Sequence, residues 1–152
     1  MADIVTKAVL SRMMSGIRGT NTRPEIRIRQ LLHQQGFRFR LHASHLPGKP
    51  DIVLPSLQAV IFVHGCFWHG HDCHLFKWPQ TRREFWKEKI LDNRKRDEEV
   101  FSMLVGEGWR IMVIWECTLK GKQRKMDKDI VSEALKWLKS KQLYYETGGV
   151  VE

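Results

Sequence analysis

Eleven consecutive positions, His64-Gly65-Cys66-Phe67-Trp68-His69-Gly70-His71-Asp72-Cys73-His74, hold two of the three cysteines and four of the seven histidines in the chain. Thiolate and imidazole are the ligands that a structural zinc ion selects, and such a site needs four of them in a closed tetrahedron. Cys66 and Cys73 supply two and a nearby histidine a third. Cys117, just past the apolar run Ile111 to Trp115, is placed to be the fourth, which uses every cysteine. His71 is the preferred histidine because it stands next but one to Cys73 and leaves His64 and His69 for other work; the residues alone do not decide among the four. Buried free thiols beside exposed histidines would be a plainer reading, but it explains neither the clustering nor the odd cysteine count.

Three carboxylates stand out by position. Asp51 follows Gly48-Lys49-Pro50 and opens an apolar stretch, which puts it at a sheet edge near a second strand ending in Val63-His64. A carboxylate there can hold a hard divalent cation against a phosphate, although aspartate is equally common in turns for structural reasons. Ile90, Asn93, Asp97, Phe101 and Leu104 recur at spacings of 3, 4, 4 and 3 and share one helix face. Asp97 thus lies on an apolar stripe, where a carboxylate is costly unless it meets a partner such as a histidine or an ordered metal-bound water. Glu25 shares a face with Ile28 and Leu32, but it also stands three residues after Thr22, where a capping-box glutamate belongs, and both readings hold. Phe67 and Trp68 inside the Cys/His loop, and Trp86 farther on, are large aromatics. By composition a role covering the metal site is favoured over wedging between base pairs.

These residues need elements to position them. Thr22-Arg23-Pro24-Glu25 starts a helix that runs to Gln35 and stops at Gly36. Phe37, Phe39 and Leu41 alternate with Arg38 and Arg40, which predicts a half-buried strand with its arginines outward. A turn over Leu46-Pro47-Gly48-Lys49-Pro50 leads to a short strand from Asp51 to Leu54, and Gln58 to Val63 is apolar enough for the middle of a sheet. A long charged helix spans Thr81 to Val105, a buried strand spans Trp109 to Trp115, and Asp127 to Lys141 forms an amphipathic helix burying Ile130, Ala134, Leu135 and Leu138. This order predicts an α/β sandwich of three layers, a mixed sheet flanked by helices.

The chain has 152 residues, 42% of them hydrophobic, enough for one compact domain. Residues 1–21, polar and basic with Gly16 and Gly19, read as an arm ordered mainly against something else, leaving 22–152 as the domain. The longest apolar runs have five residues, whereas a membrane span needs about 20. The opening Met1-Ala2-Asp3-Ile4 lacks a secretory profile, so a cytoplasmic location is expected, in keeping with unpaired cysteines. Lys and Arg number 26 against 17 Asp and Glu, for a net charge of +9, and residues 1–49 carry nine basic side chains against two acidic. Such a block releases counterions on meeting a phosphate backbone, which favours nucleic acid as partner over a merely solvated basic face.

Taken together, Pro47-Gly48-Lys49-Pro50-Asp51-Ile52-Val53, Val60-Ile61-Phe62-Val63-His64-Gly65-Cys66-Phe67-Trp68-His69, Cys73-His74-Leu75-Phe76-Lys77, Thr81-Arg82-Arg83-Glu84-Phe85-Trp86, Asn93-Arg94-Lys95-Arg96-Asp97 and Gly108-Trp109-Arg110-Ile111 resemble the very short patch repair (Vsr) DNA mismatch endonucleases. The similarity runs from the basic arm to about Trp137. It implies a restriction-endonuclease-like fold that nicks double-stranded DNA 5′ of the thymine in a T:G mismatch left by deamination of 5-methylcytosine. By this resemblance Asp51 binds Mg²⁺ directly, assisted by the main-chain carbonyl of Val63. Thr is common in the family at that position, but a main-chain oxygen does the work, so valine is expected to be tolerated. His69 would activate or orient the attacking water with Asp97 setting its protonation, while His64 and Glu25 would hold metal-bound waters around the scissile phosphate and leaving oxygen.

The family's zinc ligands fall on Cys66, His71, Cys73 and Cys117. Its intercalating aromatics fall on Phe67, Trp68 and Trp86, which replaces the covering role suggested by composition. The resemblance also implies a functional link to a cytosine-5 DNA methyltransferase and to mismatch-repair proteins. A monomer is expected, since one nick needs one active site. Two competing readings are a sequence-specific nicking or restriction-associated endonuclease acting on paired DNA, and an inactive zinc-stabilised DNA-binding module.

Overall fold

The computed structural model describes residues 22–147, so the basic arm expected over residues 1–21 lies outside the described residues. Helix α1 (Arg23–Gln34) begins as its sequence dictates: Thr22 is extended, its hydroxyl accepts the Glu25 N–H at 3.4 Å, and Pro24 sits in the first turn. It ends where Gly36 takes φ +91° and Phe37 N–H folds back to the Leu32 carbonyl at 3.2 Å.

The expected strand around Phe37 to Leu41 is shorter than its alternation suggests. Phe37 and Phe39 do pack on the core with Arg38 and Arg40 exposed, but only β1 (Arg40–Leu41) joins the sheet, and Leu41 is exposed. The reason lies in the next residue, His42, whose left-handed backbone (φ +47°) ends the extended run. Strand β1 pairs antiparallel with β2 (Ile52–Leu54), and a 3₁₀ turn at Pro55–Leu57 returns the chain into β3 (Ala59–His64), antiparallel to β2. Strand β4 (Arg110–Trp115) is parallel to β3 and so requires a crossover, supplied by helix α2 (Arg83–Gly106). Helix α3 (Asp127–Leu138) then leads to β5 (Tyr144–Glu146), parallel to β4, completing a mixed sheet of order β1-β2-β3-β4-β5. This last strand is three residues long at a sheet edge and has no periodic signal in the sequence.

Successive residues of β3 and β4 face opposite layers. Ala59, Ile61, Met112 and Ile114 pack with Ile28 and Leu32 of α1 and with Ile130, Ala134, Trp137 and Leu138 of α3. Val60, Phe62, Ile111 and Val113 pack with Val100 and Leu104 of α2. Both faces of these strands are covered, which is why their sequences are apolar throughout rather than alternating. The three-layer expectation therefore holds among the described residues. Helix α3 departs from its expected span: it stops at Leu138 rather than Lys141 and buries Trp137 fully, while Leu135 is only half-buried. The Arg110 guanidinium accounts for this stop. It lies 4.7 Å over the Trp137 ring and donates to the carbonyls of Trp137, Leu138 and Ser140, the groups a helix end leaves unpaired. No helix among the described residues is long and apolar enough to cross a membrane.

Candidate active site and metal centre

The start of β2 and the end of β3 lie at the same end of the sheet because the two strands are antiparallel. Asp51 sits just before β2, and its Oδ2 accepts the Val63 N–H at 2.7 Å. The preceding turn rests on α2 so closely that a Cβ on Gly48 would overlap Val100 Cγ1. Glu25, in the first turn of α1 and only 2% exposed, meets the His42 Nε2 and also Arg29 Nη1 at 3.3 Å. Ligand atoms of Glu25, His42 and Asp51 all lie within 4.8 Å of one another.

A second group faces the first across the cleft. His69 Nδ1 is 2.5 Å from Asp97 Oδ2, and the His64 and His69 rings stack with centroids 3.8 Å apart. A neutral imidazole that donates Nδ1–H to a carboxylate carries its lone pair on Nε2, the form suited to a general base. The loop that carries His69 is drawn onto α2. Asn93 Nδ2 donates to the Trp68 carbonyl at 2.8 Å, and a Cβ on Gly70 would lie 2.7 Å from Ile90 Cγ2. The apolar stripe of α2 therefore does bring Asp97 to a histidine. Both groups line one cleft of about 830 Å³, with Lys49, Lys89 and Arg96 among its lining residues.

The electrostatics of the cleft suit a cation. Burial pushes the Asp51 carboxyl up to about 6; the Val63 N–H opposes this, the Glu25 carboxylate adds to it, and His42 and His69 lower it. Burial, then the neighbouring His69 and His71 rings, hold the His64 imidazole well below its ordinary range. Its Nδ1 is buried and has no hydrogen-bond partner among the described residues. Phe67 and Trp68 line the cleft, and with Trp86 they meet edge to face, with centroids 5.1 to 5.5 Å apart. Trp86 is 8% exposed and backs the half-buried Phe67 and Trp68.

Behind the cleft, Cys66, His71, Cys73 and Cys117 form the four-residue group that the sequence singles out, their ligand atoms within 4.8 Å of one another. His71 Nδ1 lies 3.5 Å from Cys66 Sγ and 3.6 Å from Cys117 Sγ. A tetrahedral zinc with ordinary Zn–S and Zn–N bonds has sulfur–nitrogen edges of about 3.6 Å, so these spacings fit such an ion. Burial pushes the Cys66 thiol up, and that of Cys117 up to about 11. A bound cation would reverse this by favouring the thiolates.

Sequence reasoning missed several supporting residues. Trp115 stacks flat on His71 at 4.0 Å and meets His64 and His69 edge-on, forming a wall shared by both sites. Its Nε1 donates to Glu146 Oε1 at 2.8 Å, which ties β5 to that wall. Glu116 accepts the Cys66 N–H at 3.3 Å, and His42 contacts Glu25. The only available signals were two strand-end residues and a histidine outside any motif.

The family model for the DNA mismatch endonuclease Vsr matches residues 2–75. The chain is 44% identical to the DNA mismatch endonuclease Vsr of Escherichia coli over 91% of its own length and 88% of the relative. It is 52% identical to the Type II nicking enzyme V.XorIIP of Xanthomonas oryzae pv. oryzae, over 78% of this chain and 88% of that protein. It is also 43% identical to the Type II nicking enzyme V.NmeAIP of Neisseria meningitidis, over 80% and 87%. Similarity of this extent over most of both chains shows that the chain belongs to the Vsr family of DNA mismatch endonucleases, a nuclease family that implies a divalent metal.

Proposed function

We propose that the protein nicks double-stranded DNA on the 5′ side of the thymine in T:G mismatches produced by deamination of 5-methylcytosine, initiating very short patch repair. The observation that carries this reading is the meeting of Glu25, Asp51, His64, His69 and Asp97, from separate elements, in one cleft beside Phe67 and Trp68.

The residues of the cleft fit a divalent cation. Two carboxylates and a histidine share one locus, the Asp51 acid is raised by burial, and the His64 Nδ1 has no hydrogen-bond partner among the described residues. Asp51 and the main-chain carbonyl of Val63 would hold Mg²⁺, which when bound supplies positive charge against the scissile phosphate. His69 takes the proton of the attacking water at Nε2 as the new oxygen–phosphorus bond forms, and Asp97 stabilises the resulting imidazolium. His64 and Glu25 hold ordered waters around the phosphate, one of which returns a proton to the leaving oxygen as its bond to phosphorus breaks. Cys66, His71, Cys73 and Cys117 would hold a structural zinc that fixes the loop bearing His64 and His69.

Phe67, Trp68 and Trp86 form the aromatic wedge that enters the mismatch, with Trp86, 8% exposed, bracing the other two. A wobble pair stacks poorly and is cheaper to pry open, so the wedge selects by deformation energy. The basic arm, residues 1–21, adds sequence-independent affinity for the phosphate backbone. The substrate's origin ties the reaction to a cytosine-5 DNA methyltransferase upstream and to mismatch-repair proteins acting on the same lesions. A monomer suffices for a single nick.

The test is incubation with Mg²⁺ of end-labelled duplexes that differ only in a central T:G or C:G pair, in several methyltransferase recognition contexts. Nicking confined to the 5′ side of the mismatched thymine is the expected result. Cutting of the paired duplex would favour a sequence-specific nicking activity, the second reading, which the names of the Type II nicking relatives support. Binding without a nick would leave the inactive module.

A further inference from the structure

We infer that His42 is a positioning residue for the nicking reaction, holding Glu25 and Asp51 in register across the cleft by gripping one through its ring and the other through its backbone. His42 belongs to no motif and lies between β1 and the turn that leads to Asp51. Its backbone has φ +47°, a conformation that residues with a Cβ seldom adopt and that tends to persist where the surrounding structure demands it. In that conformation its N–H donates to the Asp51 carbonyl at 3.2 Å, while the Nε2–H of its ring donates to Glu25 Oε2. Arg29 Nη1 reaches the same oxygen at 3.3 Å from one turn along α1, so the Glu25 carboxylate is oriented from two directions.

Glu25 stands in a helix on one face of the sheet, and Asp51 stands at the start of a sheet strand. His42 links the two, and the ligand atoms of all three residues fall within 4.8 Å of one another. Extended backbone at position 42 would have carried β1 onward, so the short β1 strand and the clamp have the same cause. The inference rests on the cleft being the cation-dependent nicking site.

The test compares wild type, His42→Ala and His42→Gln, whose amide can still donate to Glu25. Three quantities are read: melting temperature, single-turnover nicking at saturating T:G duplex alongside DNA affinity, and Mn²⁺ binding to the DNA-free protein by electron paramagnetic resonance. Residues that orient a metal site from outside it typically account for 10- to 100-fold in metal affinity or rate. His42→Ala is expected to nick about 10- to 100-fold more slowly and to bind Mn²⁺ about tenfold more weakly, with DNA affinity unchanged and most of both losses restored in His42→Gln. The inference is overturned if His42→Ala keeps its Mn²⁺ affinity and rate, if only its melting temperature falls, or if His42→Gln is as impaired as His42→Ala. A wild-type protein that binds Mn²⁺ but nicks nothing would instead refute the proposed function, and the Mn²⁺ comparison would still decide the role of His42.

Discussion

The Nδ1 of His69 lies 2.5 Å from the Oδ2 of Asp97, joining residues 28 positions apart in the chain. In the proposed mechanism this bond would set the ring tautomer and stabilise the imidazolium that forms when Nε2 takes a proton. Asp97→Asn keeps the shape of the contact and removes the charge. The single-turnover nicking rate of the variant is expected to fall about 10²- to 10⁴-fold with duplex affinity unchanged, because proton transfer through a positioned base is worth that much. A rate within about threefold of wild type would remove His69 from the role of base.

Asp51 sets a pH dependence. Its carboxyl titrates at about 6 in the folded, cation-free protein against 3.8 ordinarily, so the folded state holds the proton more tightly. As pH rises from about 4 to about 6 the group therefore costs stability, and the cost is complete above about 6. A cation must displace that proton, so apparent Mg²⁺ affinity should weaken up to about tenfold per pH unit below 6. The rise in melting temperature on adding Mg²⁺ is expected to be larger at pH 7 than at pH 5, and Asp51→Asn should abolish the difference. Equal Mg²⁺ shifts at the two pH values in the wild-type protein would contradict this assignment.

The Cys/His group predicts about one zinc per chain by atomic absorption. Cys73 is the useful residue to change, since it is half-buried where Cys66 and Cys117 are buried, and Cys73→Ser opens little space in the core. The melting temperature of Cys73→Ser is expected to fall by roughly 10 °C or more, with zinc lost from the purified protein. Full zinc content with unchanged melting would show that Cys73 is not a ligand.

Trp68 is the side chain on which mismatch selection should turn. Its ring is half-buried and braced edge-on by Phe67 and Trp86, so Trp68→Ala removes a stacking surface without emptying the core. Stacking of an aromatic on a base is worth about 1–3 kcal/mol, so affinity for the T:G duplex should drop about 5- to 150-fold. Affinity for the paired duplex, set mainly by phosphate contacts, should barely change. Competition anisotropy with the two duplexes measures both, and an equal loss on each would assign Trp68 to general binding.

What could be read from the chain alone depended on interactions between near neighbours. Helix α1 was legible from its cap, its proline and its terminal glycine, because those effects act within a turn. The stripe on α2 placed Asp97 on an apolar face, since helical periodicity is a local property, and the long apolar runs of β3 and β4 marked strands covered on both sides. The candidate Cys/His group was legible because two of its cysteines and four histidines crowd into eleven positions and the chain contains only one other cysteine, while the choice among those histidines was not.

Tertiary structure decided which of these residues meet. Which histidine pairs with Asp97, how Trp115 walls both sites, why Trp137 rather than Leu135 is buried, and that β5 exists at all depend on contacts between residues brought together from distant parts of the chain. His42 shows the limit most clearly. Its residue type is unremarkable at its position, and its backbone conformation and its grip on Glu25 and Asp51 exist only once α1 and the sheet have packed. Local propensities choose elements, but the geometry of a site is set by the packing of those elements against one another, which is a property of the whole core.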